Sequence, residues 1–264
     1  MERAWEVGGF ALLSVFTDQI LDPAANDYVA DFVREKIREV VHDPATAELL
    51  CPTQLFGCKR ICLESGYYEA FNLPHVGLVD VSAAPLERVS ERGLVTGGRE
   101  YAADVIVLAT GFDAMTGSVL KVDLRGRGGR PLGDVWGAGP LNYLGLGVPG
   151  FPNLFVLTGP GSPSVLTNMF MAIEQHVEWI ADALVMARHH GTATMEAELD
   201  AAEAWVAHVN LIASYTIFPS CNSWYLGANV PGKPRVFMPL PGWPAYVERC
   251  REVAASGYPG FRLT

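Results

Sequence analysis

Three stretches of this chain set side chains together that could do chemistry. Gly57-Cys-Lys-Arg60 places a lysine beside an arginine in a sequence with only four lysines. An ammonium is a compact point charge and a guanidinium a planar fork, so the pair suits a phosphate together with a delocalised anion. The same two residues also fit a solvated loop pair with no ligand. Gly159-Pro-Gly-Ser-Pro-Ser164, followed by Val-Leu-Thr-Asn-Met169, has the form of a strand-to-helix junction. Unpaired N–H groups and the positive dipole end would favour an anion or an electron-rich ring edge there. The alternative is a tight connection whose polar residues only cap the helix. Residues 223–235, Ser-Trp-Tyr-Leu-Gly-Ala-Asn-Val-Pro-Gly-Lys-Pro-Arg, combine stacking surfaces, an amide and two cations. A dinucleotide could use all of these; a structured surface loop whose tryptophan fills a groove fits as well.

Other chemistry is missing from the sequence. It has no Gly-x-Gly-x-x-Gly after a strand, no Walker loop and no His-Glu-x-x-His. Gly126-Arg-Gly-Gly-Arg130 reads as a hairpin turn. His189-His190 stands at a helix end before Gly191, where the dipole favours cations, and no metal site is expected. The five cysteines, at 51, 58, 62, 221 and 250, contain no Cys-x-x-Cys pair. That predicts reduced thiols rather than a disulfide or a zinc site.

The elements that must carry these residues follow from periodicity. Asp22-Pro23 and Asp43-Pro44 each look like an N-cap followed by proline at the first helical position. Between them Val29, Phe32, Val33, Ile37, Val40 and Val41 recur at helical spacing over about four turns. Residues 105–109 and 153–158 are apolar runs closed by Thr-Gly, which predicts two buried strands with ligand loops beyond their ends. Long helices are expected over 167–188 and 196–214, the first burying Phe170, Ile173, Val177, Ile180, Leu184 and Val185. Residues 219–244 hold six prolines and read as a lid or binding loop, followed by a short helix over 246–255.

Composition narrows the class. With 19 basic against 29 acidic residues the net charge is −10, which argues against nucleic acid or an anionic membrane as partner. Charged residues are 18% and hydrophobic ones 50%, so the chain should fold. No eighteen-residue apolar run predicts a membrane span, and residues 1–6 do not resemble a signal peptide. An acidic, cytoplasmic α/β protein is expected.

Taken together, Phe56-Gly-Cys-Lys-Arg60, Tyr67-Tyr-Glu69, Leu108-Ala-Thr-Gly-Phe-Asp113, Gly159-Pro-Gly-Ser-Pro163, Glu174-Gln-His-Val-Glu-Trp179 and residues 223–233 resemble the Baeyer–Villiger monooxygenases, in order and along the whole chain. The resemblance covers only that family's carboxyl-terminal half. It implies an α/β fold, a partial two-dinucleotide-binding flavoprotein with Rossmann-like FAD and NADP domains and a helical segment. The expected division is a helical segment 1–55, a partial NADP-binding domain 56–112 and the carboxyl-terminal part of the FAD-binding domain 113–264. The implied activity is insertion of one oxygen of O2 next to a ketone carbonyl, giving an ester or lactone, with FAD as cofactor and NADPH as reductant.

Roles are implied residue by residue. Arg60 matches the arginine that stabilises an anionic oxygenated flavin and helps hold the nicotinamide, a fixed cation beside a developing oxyanion. Lys59 matches a contact to the extra phosphate of NADP. Thr110 and Gly111 end the strand that returns to the FAD domain, and Asn168 and Met169 fall on the cofactor side of the helix junction. Ser164, Val165, Leu166 and Met169 would shape the ketone pocket. Trp224 and Asn229 lie in the loop that folds over NADP.

Two other readings remain. The chain could be a non-catalytic remnant or half of a split enzyme needing a separate amino-terminal partner, because a pyrophosphate needs the glycine loop absent here. Alone it should then bind FAD poorly and associate through exposed strand edges. It could also be another two-dinucleotide flavoprotein, such as an N-hydroxylating monooxygenase.

Overall fold

The computed structural model describes residues 1–238 and 242–264, so part of the proline-rich 219–244 stretch lies outside the described residues. The chain forms two units.

The first unit comprises residues 1–15, 27–53 and 62–112. It contains α1 (Glu2–Val7), most of α2 (Pro23–Val40), α3 (Pro44–Leu50) and α4 (Tyr67–Ala70). Both predicted Asp-Pro starts hold. The Asp22 carboxylate accepts from Ala24 N–H at 2.9 Å, and that of Asp43 from Thr46 N–H at 2.8 Å. The apolar stripe of α2 turns inward as its spacing predicts, and Ile37 and Val41 make a small core with Ala47 and Cys51. β1 (Leu86–Val89), β2 (Gly93–Thr96) and β3 (Arg99–Ala102) form an antiparallel meander, with Val89 opposite Leu94 and Leu94 opposite Tyr101.

Residues 104–111 correct the sequence reading. They form no strand, and Val105, Val107 and Leu108 are 77%, 82% and 77% exposed. A doubly covered strand needs a ladder on each edge and a layer on each face. Among the described residues no strand pairs with this segment.

The second unit comprises residues 16–26, 54–61 and 113–264. After α5 (Gly117–Leu120) the chain makes the predicted turn at 126–130, closed by an Arg125–Pro131 bridge. α6 (Leu132–Val135) follows, and Leu132, Trp136, Val148, Phe151 and Val156 form a side cluster. The main core gathers around α7 (Met169–His189), α8 (Leu199–Ser214) and α9 (Trp243–Ala255). β4 (Met195–Ala197) and β5 (Phe261–Leu263) close it as an antiparallel pair.

Three further expectations change here. Residues 153–158 make only an isolated bridge, Phe155 to Gly147, and among the described residues no strand extends it into a ladder. The buried side of α7 is Ala172, His176, Trp179, Ala183 and Ala187, while Phe170, Val177, Leu184 and Val185 are exposed. The alanines explain the reversal: short side chains let this face approach the core closely, which a row of branched residues would prevent. Finally, Cys58 and Cys221 are joined by a disulfide with a Cα–Cα separation of 5.9 Å. The fold brings together two residues 163 apart, which spacing rules for local pairs do not register.

Candidate functional site

Within the second unit, the segment carrying Lys59 and Arg60 is fixed twice to the segment before Trp224. The disulfide makes one tie, and Ser223 Oγ donates to the Cys58 carbonyl at 2.5 Å. Lys59 and Arg60 remain exposed. The Arg60 guanidinium donates to the Val165 carbonyl, joining positions 105 residues apart. The cation therefore stands against the turn formed by Ser164, Val165 and Leu166. Ser164 is buried in the left-handed region at φ 42°, and its hydroxyl points at Met115 Sδ, 3.9 Å away. Val165 and Leu166 pack half-buried against the main core.

Asn168 caps α7: its Oδ1 accepts from Phe170 N–H at 3.0 Å, and Met169 is the first helical residue. Trp224 packs against the core with its ring edge-on to Tyr225 at 4.5 Å, and Asn229 is exposed. Thr110 and Gly111 lie in the first unit, exposed and outside any strand.

The two cations that the 223–235 stretch offered are engaged internally. Lys233, its side chain 10% exposed, pairs with Asp113 and donates to the Ala114 carbonyl at 2.8 Å. Arg235 donates to the Cys221 carbonyl at 2.7 Å. Both staple the loop; Lys233 is largely withdrawn from solvent, while Arg235 stays exposed.

The 158–164 loop is anchored residue by residue. Trp205 Nε1 donates to the Gly161 carbonyl at 3.0 Å, Asn142 Nδ2 to Pro160 at 3.2 Å and Ser162 Oγ to Gly159 at 2.8 Å. Two glycines permit the packing beneath. A Cβ on Gly159 would lie 2.4 Å from the Gly145 carbonyl oxygen, and one on Gly145 would lie 2.6 Å from Ser162 N. Thr158 N–H donates to His176 Nδ1 at 3.0 Å. Burial pushes the His176 imidazole down to about 4, so it is neutral at neutral pH. The sequence motif around residue 176 gave it no role; its one signal was a polar residue in step with Ala172 and Trp179 on α7.

Among the described residues no group of His, Cys, Asp and Glu side chains could hold a metal ion, and no helix is long and apolar enough to cross a membrane.

No family model matches the chain. It is 41% identical over 266 residues to a phenazine N-monooxygenase of Lysobacter antibioticus, covering 99% of this chain and 49% of that one. It is 41% identical over 240 residues to a Baeyer–Villiger monooxygenase of Pseudooceanicola batsensis, covering 90% and 44%. A solved structure described as an oxidised steroid monooxygenase bound to NADP matches with a TM-score of 0.92 at 52% identity, over 99% of this chain and 50% of that one. The fold is thus that of half of a two-dinucleotide-binding flavoprotein. The chain is homologous to the Baeyer–Villiger monooxygenases, and it spans about half the length of the curated relatives it matches.

Proposed function

We propose that the chain supplies the carboxyl-terminal half of a cytoplasmic Baeyer–Villiger monooxygenase that converts a ketone to an ester or lactone. One observation carries the reading: Arg60 is exposed, anchored on the Val165 carbonyl, and held there by a segment tied twice to the 221–223 stretch. FAD bound here would supply oxygen activation, with NADPH as the reductant. Arg60 would offer a fixed positive charge where negative charge develops on oxygen, and Lys59 a point charge for the NADP phosphate. Ser164, Val165, Leu166 and Met169 would shape the ketone pocket. Asn168, Thr110 and Gly111 would border the cofactors, and Trp224 and Asn229 would cover NADP. We keep the division into a helical segment 1–55, an NADP-binding part 56–112 and an FAD-binding part 113–264 as part of this proposal.

The remaining half of the relatives' length would come as an amino-terminal partner carrying the glycine loops. An FAD titration with and without that half tests the reading. Flavin binding and NADPH-dependent ester formation only in its presence support it. Tight FAD binding by these residues alone would overturn the division of labour.

A second reading has its own support, since one relative is a phenazine N-monooxygenase. Supplying a ketone and an aromatic N-heterocycle side by side separates the two: ester or lactone supports the first, N-oxide alone the second. Absence of flavin binding under both conditions would favour a non-catalytic remnant.

A further inference from the structure

His176 and Tyr246 are both fully buried, and nothing in the proposed chemistry employs them. Their hydrogen bonds run in one forced direction. Thr158 N–H can only donate, so His176 Nδ1 accepts at 3.0 Å and the imidazole proton sits on Nε2. That N–H donates to the Tyr246 hydroxyl at 2.7 Å, and the hydroxyl donates onward to the Leu144 carbonyl at 2.9 Å. A backbone N–H and a backbone C=O are thereby joined through two side chains. Both ends are unusual: Thr158 and Leu144 hold φ of 50° and 57°, left-handed conformations that cost side-chain-bearing residues energy unless the surroundings fix them.

The other side-chain anchors of the 158–164 loop grip its carbonyls, Gly161 N–H donates to the Met238 carbonyl, and the Thr158 amide is held by His176. The loop leads through Ser164 to Val165, whose carbonyl holds Arg60. We propose that the His176–Tyr246 pair is a positioning device that ties Thr158 to Leu144 and so fixes the loop leading to Val165 and Arg60. The claim deepens the proposed function and rests on it for its catalytic consequence; the placement of Thr158 is independent of it.

Three variants separate the elements of the relay. Tyr246→Phe keeps the ring and removes the hydroxyl. His176→Leu removes both nitrogens, and His176→Asn keeps an acceptor near Nδ1. Amide exchange on the chain itself should quicken at Thr158 by about tenfold in His176→Leu, as expected for one lost hydrogen bond, and return toward wild type in His176→Asn. In the flavin-loaded enzyme with its other half, Tyr246→Phe and His176→Leu should lower kcat for ketone oxygenation by about 100-fold, as a misplacement of about 1 Å does. KM should change little, and NADPH should be consumed without product. Unchanged Thr158 exchange in His176→Leu overturns the proposal. So does faster exchange with undiminished kcat. If wild-type enzyme oxygenates no ketone, the functional reading fails by itself. The positioning claim is then decided by Thr158 exchange and by the visible circular dichroism of the bound flavin, which must change in Tyr246→Phe. Should His176→Leu not fold, Tyr246→Phe is read in its place: Thr158 exchange should quicken there by about fivefold because the imidazole loses its second anchor, and unchanged exchange overturns the proposal.

Discussion

Arg127 Nε meets a carboxylate oxygen of the buried Glu196 at 2.6 Å, joining a hairpin tip to a strand 69 residues later. Arg262 reaches the other oxygen at 3.1 Å, and Gly150 N–H donates to it at 3.1 Å. Burial alone would raise the Glu196 pKa, but hydrogen bonds from Arg127 and Arg262 outweigh it and hold the carboxyl below its ordinary value. Glu196→Ala should therefore destabilise the second unit by about 1–3 kcal/mol. That is less than a fully buried pair costs, because both arginines are half exposed and can return to water. The urea midpoint of thermally matched samples measures it.

The His176 imidazole gives a pH signature. Its folded value of about 4 lies below the ordinary 6.5, so the unfolded chain binds the proton more readily between those two values. Stability should fall as pH drops from 6.5 toward 4, by at most roughly 3 kcal/mol from this group. The groups facing it, the Tyr246 hydroxyl and the Cys250 thiol beyond, are pushed upward by burial and stay neutral across that window. In a Tm series from pH 7 to 4, wild type should lose stability relative to His176→Gln as the pH falls below 6.5.

Removing the Lys233 ammonium strands Asp113. Lys233→Met should cost about 1–3 kcal/mol and open residues 227–238 to limited proteolysis, with Asp113→Asn plus Lys233→Met recovering part of the loss. Equal protease patterns for wild type and the single variant would count against the staple.

The disulfide is checked by mass. In denaturant without reductant, two of the five cysteines should resist alkylation, and the linked peptides should contain Cys58 and Cys221. With a sequence separation of 163, chain entropy predicts up to about 5 kcal/mol lost in Cys221→Ser under oxidising conditions and little difference under reducing ones.

Arg60→Ala, in enzyme assembled with FAD and the other half, should lower ketone oxygenation about 100- to 1000-fold while flavin binding persists. Intact turnover would remove Arg60 from the chemistry.

Local signals carried the helices and little else. Asp22, Asp43 and the spacing of Val29, Ile37 and Val41 announce their helices because caps and periodicity act within a few residues. The apolar runs at 105–109 and 153–158 misled because hydrophobicity records a need for cover without saying which segment supplies it. On α7 the large apolar residues marked the inner face only in part: Ile180 packs against the core, but Trp179, three alanines and one histidine are the residues buried there. Arg60 beside Val165, Cys58 bonded to Cys221 and the His176–Tyr246 relay all join distant residues. The resemblance singled out Arg60 for the flavin and Val165 for the ketone pocket without pairing them, and none of the three contacts had a local trace.

The back-to-back glycines at 145 and 159 limit how this scaffold can diversify. Even a methyl group at 159 drives into the opposing main chain, so that position tolerates no repertoire of side chains and the loop cannot slip by a residue. On the proposed function, a mutagenesis library aimed at new ketones is therefore best spent on Val165 and Leu166, whose side chains are half-buried.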